Sequence, residues 1–330
     1  MTPLPLKTGL SVFMYHDVRE ENPDYYPRRY ALKPFLTPSL FQEHLDYIER
    51  EYDIISWEGL SDTLAGLEGS DKKALLTFDD GLKDHVSVAY PILKERGLSA
   101  IFFLPAEAVR DRVMVHSHKI QFILAAADEA AVVEEIFEAL KICSDQIEIP
   151  CPRQDEIWDE YSRSDRPDGT WSKEMVFTTR LLREFRSYDF RSRMLARLFS
   201  ILVSDDERAF TESFYMTESD AQELARNEMG IGAHGFHSLN ALHETYSLQE
   251  SEIRRSYDFI RGEVLDCQHP EFFYSFPNGG YTSRSLSVLE ELGCTGAFTT
   301  KRVPYVKGTV LEIPRLDGPQ DLEFAPMSRG

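Results

Sequence analysis

The chain has 330 residues, 42% hydrophobic and 28% charged, with a net charge of −20. That length buries one large core or two smaller ones, the negative balance sets the surface against nucleic acid and anionic membrane as partners, and no apolar run is long enough to span a bilayer. Met1–Lys7 lacks the charged and apolar regions of a signal peptide and Cys143, Cys151, Cys267 and Cys294 form no CxxC pair, so a reduced, cytoplasmic protein is expected, with Cys143 and Cys151 spaced to permit one disulfide.

In chain order, Leu10–Tyr15 reads as a buried strand that ends at His16-Asp17. Pro38–Glu51 has helical spacing through Phe41, Leu45 and Ile48. Tyr52–Ser56 reads as a short strand, Trp57–Leu67 as a helix, and Lys73–Phe78 as a strand running straight into Asp79-Asp80-Gly81. Val86–Arg96 is a helix stopped by Gly97, and Ala100–Leu104 a strand closed by Pro105. Such alternation predicts a parallel sheet with helices outside it. From residue 107 to 215 the rhythm changes. Ile120–Ala127, Ala130–Ile142 and Phe177–Val203 have helical spacing, and the polar stretch Cys151–Gly169 between them reads as a loop. Alternation then resumes with a helix at Glu218–Asn227, a strand at Gly230–Ala233 ending at His234, a helix at Leu248–Leu265, and a strand at Glu271–Ser275 entering Phe276-Pro277-Asn278-Gly279-Gly280. Thr282–Leu292 is a helix, and Ala297–Thr300 and Val310–Ile313 close the series. The pattern predicts one α/β barrel, residues 1–106 and 216–330, interrupted by a mostly helical insertion, 107–215.

Four strand ends collect residues that carry chemistry: His16-Asp17, Asp79-Asp80, His234 with His237, and Pro277-Asn278-Gly279. Parallel strands bring such ends to one face of a barrel. Two imidazoles and a carboxylate suit a divalent cation with an open position for water. A second carboxylate nearby can take a proton from that water. Glycine beside Asn278 lets a backbone N–H approach an oxyanion. Singly, each has a plainer reading. Asp79 and Asp80 could open a turn before Gly81, His16 could cap its strand or pair with Asp17, and His116 and His118 suit a surface or hinge.

The chain resembles the polysaccharide deacetylase (NodB-homology) family, carbohydrate esterase family 4 and its relatives. Thr77-Phe78-Asp79-Asp80-Gly81 matches the family's first motif without a change. Ile231–His237 resembles its histidine motif, Tyr274–Gly279 its proline–glycine motif, and Met14–Val18 the opening strand of the branch acting on bacterial surface and extracellular glycans. The resemblance implies a distorted (β/α) barrel with fewer strands than eight. It implies Asp79 as general base, Asp80 and His234 as ligands of one divalent metal (zinc first; cobalt, nickel or iron also suit), and the Asn278 N–H as oxyanion donor beside Pro277. The family's second histidine falls where Ser238 stands here. His237, one residue early, is taken as the third ligand, with Ser238 and a water as the alternative. An arginine that orients the base often stands near Ser275 in the family. Arg315 and Asp317, ending the last strand, are candidates to orient a partner or bind substrate. The family's late Leu-x-His motif is missing, and His16 is the candidate general acid. The implied function is metal-dependent N-deacylation of an N-acylated sugar, in a surface polysaccharide or its cytoplasmic precursor. The rivals are hydrolysis of another non-peptide C–N bond and a glycan-binding protein without turnover.

Overall fold

The computed structural model describes residues 8–20, 35–163, 171–265, 271–318 and 322; Cys267 lies outside them. The strands are β1 (Gly9–Tyr15), β2 (Asp53–Ile54), β3 (Lys72–Phe78), β4 (Ile101–Leu104), β5 (Gly230–Ala233), β6 (Phe273–Ser275), β7 (Gly296–Phe298) and β8 (Leu316–Asp317). All their pairings are parallel. Seven follow the order β7-β6-β5-β4-β3-β1-β8, and β2 pairs with β3. The segment entering β8 also pairs Ile313 with Phe298 of β7. One stretch of chain therefore bridges the two edges, and the sheet curls into a barrel.

The helices are α1 (Pro38–Glu51), α2 (Leu60–Gly66), α3 (Tyr90–Glu95), α4 (Ala106–Arg110), α5 (His116–Ala126), α6 (Glu129–Gln146), α7 (Gln154–Tyr161), α8 (Lys173–Glu184), α9 (Tyr188–Leu202), α10 (Glu207–Phe214), α11 (Glu218–Arg226), α12 (Tyr246–Phe259) and α13 (Ser283–Glu291). Their starts follow capping chemistry. Thr37 accepts from the Leu40 amide ahead of Pro38, and Thr217 and Asp220 form a reciprocal capping box.

Period-2 alternation sorts the strand residues into two cores. Leu10, Val12, Leu75, Ile101, Phe103, Phe273, Phe298 and Ile313 fill the barrel interior. Their sequence neighbours, among them Phe13, Leu76, Phe78, Phe102 and Leu104, pack outward against Phe41, Leu45 and Ile48 of α1, Leu224 of α11 and Ile253 of α12. Alternation in β5 explains its odd composition. Gly230 and Gly232 face inward, where a Cβ at 232 would sit 2.5 Å from the Phe103 ring and one at 230 would sit 3.0 Å from Trp57. Aromatic rings from other elements fill the space that β5 leaves, and the next inward position is His234.

A second compact unit spans Val113–Thr211. Its core joins Ile120 and Ile123 of α5, Ile136 and Leu140 of α6, Phe177 and Leu181 of α8, and Leu195 and Leu198 of α9. Helix α4 belongs to the barrel unit. The stretch Phe177–Val203, expected as one helix, is two. Arg186 adopts a left-handed φ of 54°, and the Ser187 hydroxyl then caps α9. Helix α7 occupies part of the stretch expected as a loop, with Ile157 buried. Val310–Glu312 is a 3-10 turn where a strand was expected, and β8 follows it. Cys143 and Cys151 are free thiols, so the pair does not form the disulfide its spacing permits. Among the described residues, no helix is long and apolar enough to cross a membrane.

Candidate active site

Above the apolar filling, the inward positions of the strands turn polar. Leu75 lies in the interior core, so Thr77 and Asp79 are the next two inward residues of β3 and its end. Asp79 is 2% exposed and Arg315 is fully buried. Arg315 Nη1 donates to Asp79 Oδ1 and Nη2 to Oδ2, both at 2.7 Å. The remaining guanidinium hydrogens reach Thr77 Oγ1 at 3.4 Å, Ser275 Oγ at 2.8 Å and the Thr299 carbonyl at 3.1 Å. All five donors of the guanidinium thus find acceptors. Ser275 Oγ in turn donates to Asp79 Oδ2 at 3.2 Å.

Burial alone would raise the Asp79 carboxyl, but the charges of Arg315 and His234, the Arg315 hydrogen bonds and His16 together hold it down at about 2. Asp79 is therefore an ionised, fixed carboxylate at any physiological pH. Ser275 stands where an arginine was looked for, and its small side chain leaves the space that Arg315, arriving from the segment before β8, fills.

Asp80 takes the opposite course from Asp79. Its backbone is left-handed, φ 79°, and its Oδ1 lies 3.6 Å from His234 Nε2. His234 Nδ1 is 3.0 Å from the Ser275 carbonyl oxygen. A carbonyl only accepts, so Nδ1 carries the proton and Nε2 presents its lone pair. A carboxylate and an imidazole lone pair face each other across a gap too long for a hydrogen bond. That donor set suits a divalent cation, with the Ser275 carbonyl as the outer partner that fixes the ring.

His237 is not grouped with this pair. Its Nδ1 bonds Glu252, its amide donates to Glu252 Oε2 at 2.9 Å, and its Nε2 lies 3.4 Å from Arg255 Nη1 and 3.7 Å from Glu107 Oε1. Among the described residues, no three His, Cys, Asp or Glu side chains gather closely enough to hold an ion. Asp80 and His234 are the two donors that face each other, and His237, the third expected from sequence, bonds Glu252.

The other candidates line the same strand ends. His16 is half-buried at the end of β1, and its carbonyl accepts from His85 Nε2 at 2.9 Å. Pro277 heads a tight turn whose Asn278 has a left-handed φ of 53°. The Gly279 and Gly280 amides of that turn donate to the Phe276 and Pro277 carbonyls. Asp317 ends β8 opposite Met14 of β1. Left-handed φ at Asp80, Ser238 (57°) and Asn278 puts strained non-glycine backbone at the ends of β3, β5 and β6, the kind of strain that gathers at functional sites. His118, expected on a surface or hinge, is buried, and His116 stacks on Tyr188 and bonds Ser192.

Behind β1, Asp84 Oδ2 accepts from the Val18 amide at 3.1 Å and from Arg19 Nε at 3.0 Å, and Arg19 also reaches Asp17 at 3.3 Å. Of these residues Asp17 was singled out from sequence, but Asp84, Arg19 and Glu252 were not. The partners lie 65 and 15 residues apart, and no local spacing marks them.

Residues 66–139 match the model of the polysaccharide deacetylase family. That stretch is similar to the family, and the parallel barrel around it is similar in fold to solved deacetylases. Solved structures share the fold. The Streptococcus pyogenes deacetylase PplD, in complex with acetate, is 15% identical with a TM-score of 0.54 over 96% of this chain and 93% of that one. IcaB from Ammonifex degensii is 16% identical, TM-score 0.53, over 95% and 93%. A de-N-acetylase from Aggregatibacter actinomycetemcomitans is 14% identical, TM-score 0.50, over 94% and 96%. No curated protein matches the chain.

Proposed function

We propose that this barrel is a metal-dependent N-deacylase acting on an N-acylated sugar of a surface polysaccharide or of its cytoplasmic precursor. The observation that carries the reading is the adjacency of two unlike carboxylates. Asp79 is ionised and clamped by Arg315, and Asp80 faces the His234 lone pair.

Asp80 and His234 would hold the divalent cation, zinc being the first choice and cobalt, nickel or iron also compatible with an O,N donor pair. When bound there, the cation supplies an acidified water and polarises the acyl carbonyl. Asp79 takes a proton as the water oxygen bonds to the carbonyl carbon. A carboxylate held near 2 is a weak acceptor, so it works only on a water already acidified. Arg315 keeps both Asp79 oxygens in place during the transfer and adds positive charge beside the developing oxyanion. The Asn278 N–H donates to that oxyanion. The C–N bond then breaks, and the amine nitrogen takes a proton from His16. The products are a free amino sugar and acetate or formate.

The test is a panel of N-acetyl and N-formyl sugars and oligosaccharides set against small cyclic and linear amides, each assayed with cation-loaded and chelated protein. Acid release confined to the sugars and to the loaded protein supports the reading. Release from the small amides alone would replace it with another C–N hydrolase, and sugar binding without release would replace it with a lectin-like role.

A further inference from the structure

His237 is gripped at both ends by one carboxylate. Glu252, on α12, accepts a hydrogen bond from its ring Nδ1–H and another from its backbone amide. All these groups are buried or nearly so. With Nδ1–H directed at Glu252, the ring has one lone pair left, on Nε2. Arg255 Nη1 stands 3.4 Å from that atom, and its guanidinium lies 3.4 Å over the Phe236 ring. A guanidinium only donates, so the exposed Arg255 directs an N–H toward the lone pair a metal ligand must offer.

We infer that the cation site has two protein side chains, Asp80 and His234, and that His237 is a strut joining the end of β5 to α12. The inference rests on the metal-dependent reading above. Catalytic metal sites usually keep three protein ligands and one open position. With two, the remaining positions fall to oxygens of water and of the substrate, so the ion is held weakly and exchanges readily. Glu252 and Arg255 are then positioning residues for the loop after His234 and have no contact with the ion.

The experiment is a titration of the metal-stripped full-length chain with Co2+, read by its visible absorption, for the wild type and for Asp80→Ala, His234→Ala, His237→Ala and His237→Gln. The glutamine variant keeps an amide that can donate to Glu252, so it covers the case in which the alanine variant fails to fold. Wild type takes up one ion per chain. Asp80→Ala and His234→Ala lose more affinity than the roughly 10–100-fold that removal of an outer partner costs. Both His237 variants keep the wild-type cobalt spectrum and affinity. His237→Ala melts at a lower temperature, and the drop is the same with and without Co2+. A loss of cobalt affinity in both His237 variants matching that of His234→Ala would make His237 a ligand and overturn the inference while leaving the proposed reaction standing. A wild type that takes up no cobalt would overturn both.

Discussion

The Arg315 guanidinium and the Asp79 carboxylate meet in two parallel 2.7 Å bonds across 236 residues of sequence. Both ions are buried, so each depends on the other. Arg315→Met leaves a bare carboxylate inside the barrel and costs about 3–5 kcal/mol of stability. Urea unfolding of Arg315→Met, Asp79→Asn and the double variant checks this. The double variant is less destabilised than the sum of the singles, because no unpaired ion remains. Strict additivity would mean that the pair is not a unit.

Gly232→Ala puts a methyl group 2.5 Å from the Phe103 ring and 2.9 Å from the Phe273 carbonyl oxygen. Overpacking of this kind costs about 1–3 kcal/mol, and here it pushes on the strand that delivers His234 two residues later. Thermal melting registers the loss, and Phe103→Leu recovers part of it by vacating the contact. A Gly232→Ala protein as stable as wild type would contradict the tight inner packing of β5.

Stability follows pH through groups far from ordinary values. Burial pushes His85 and His44 down to about 4 from 6.5. A depressed folded value means that their contribution is full above pH 6.5 and is lost as pH falls through about 4. Asp79, lowered to about 2 from 3.8, keeps its contribution until pH falls below the carboxylate range. Asp84 runs the other way. Burial lifts its carboxyl well above the usual range, with Arg19 opposing and Asp17 adding to the rise. Its contribution is full below about pH 3.8 and is lost as pH climbs through the raised folded value. Two histidines outweigh one aspartate, so stability rises between pH 4 and 6.5. Asp84→Asn removes the opposing term and makes that rise steeper. Urea midpoints at half-unit pH steps test both statements, and a shallower slope in the variant would refute the assignment to Asp84.

Much of the fold was legible because alternation and turn chemistry are local. Ala74–Gly81 shows its strand, its inward Asp79 and its turn in eight letters. The Gly-Ile-Gly-Ala-His run was legible as a strand, but the reason for its glycines lies in Phe103 and Trp57, far off in sequence. Arg315 stood out as a polar residue ending the last strand, yet nothing local names Asp79 as its partner. His237 was the harder case. It stands one residue early for the family's second histidine and was taken as a ligand all the same, and only the three-dimensional placement of Glu252 and Arg255 shows what its two nitrogens meet. The break at Arg186 was missed because apolar spacing runs on through Phe185 and Phe190, so the change of direction rests on one left-handed residue and a serine cap.

In the proposed reaction His16 is the acid that serves the leaving amine. His16→Gln therefore lowers turnover about 10²–10⁴-fold on sugars whose departing group is an unactivated amine. On an activated anilide, whose leaving group needs no proton, the loss is much smaller. A comparison of kcat on the two substrate types decides it, and equal losses on both would remove the acid role.

The central claim is that the clamped Asp79 takes the proton while Asp80 and His234 serve the cation. Asp79→Asn keeps the shape of the side chain and removes its capacity to accept a proton, so acyl release by cation-loaded Asp79→Asn is the direct measurement. The account predicts a fall in kcat on the order of 10²–10⁴-fold, with cobalt uptake and the cobalt spectrum those of the wild type. An Asp79→Asn protein that releases acetate or formate at the wild-type rate, or that loses its cation, would contradict it.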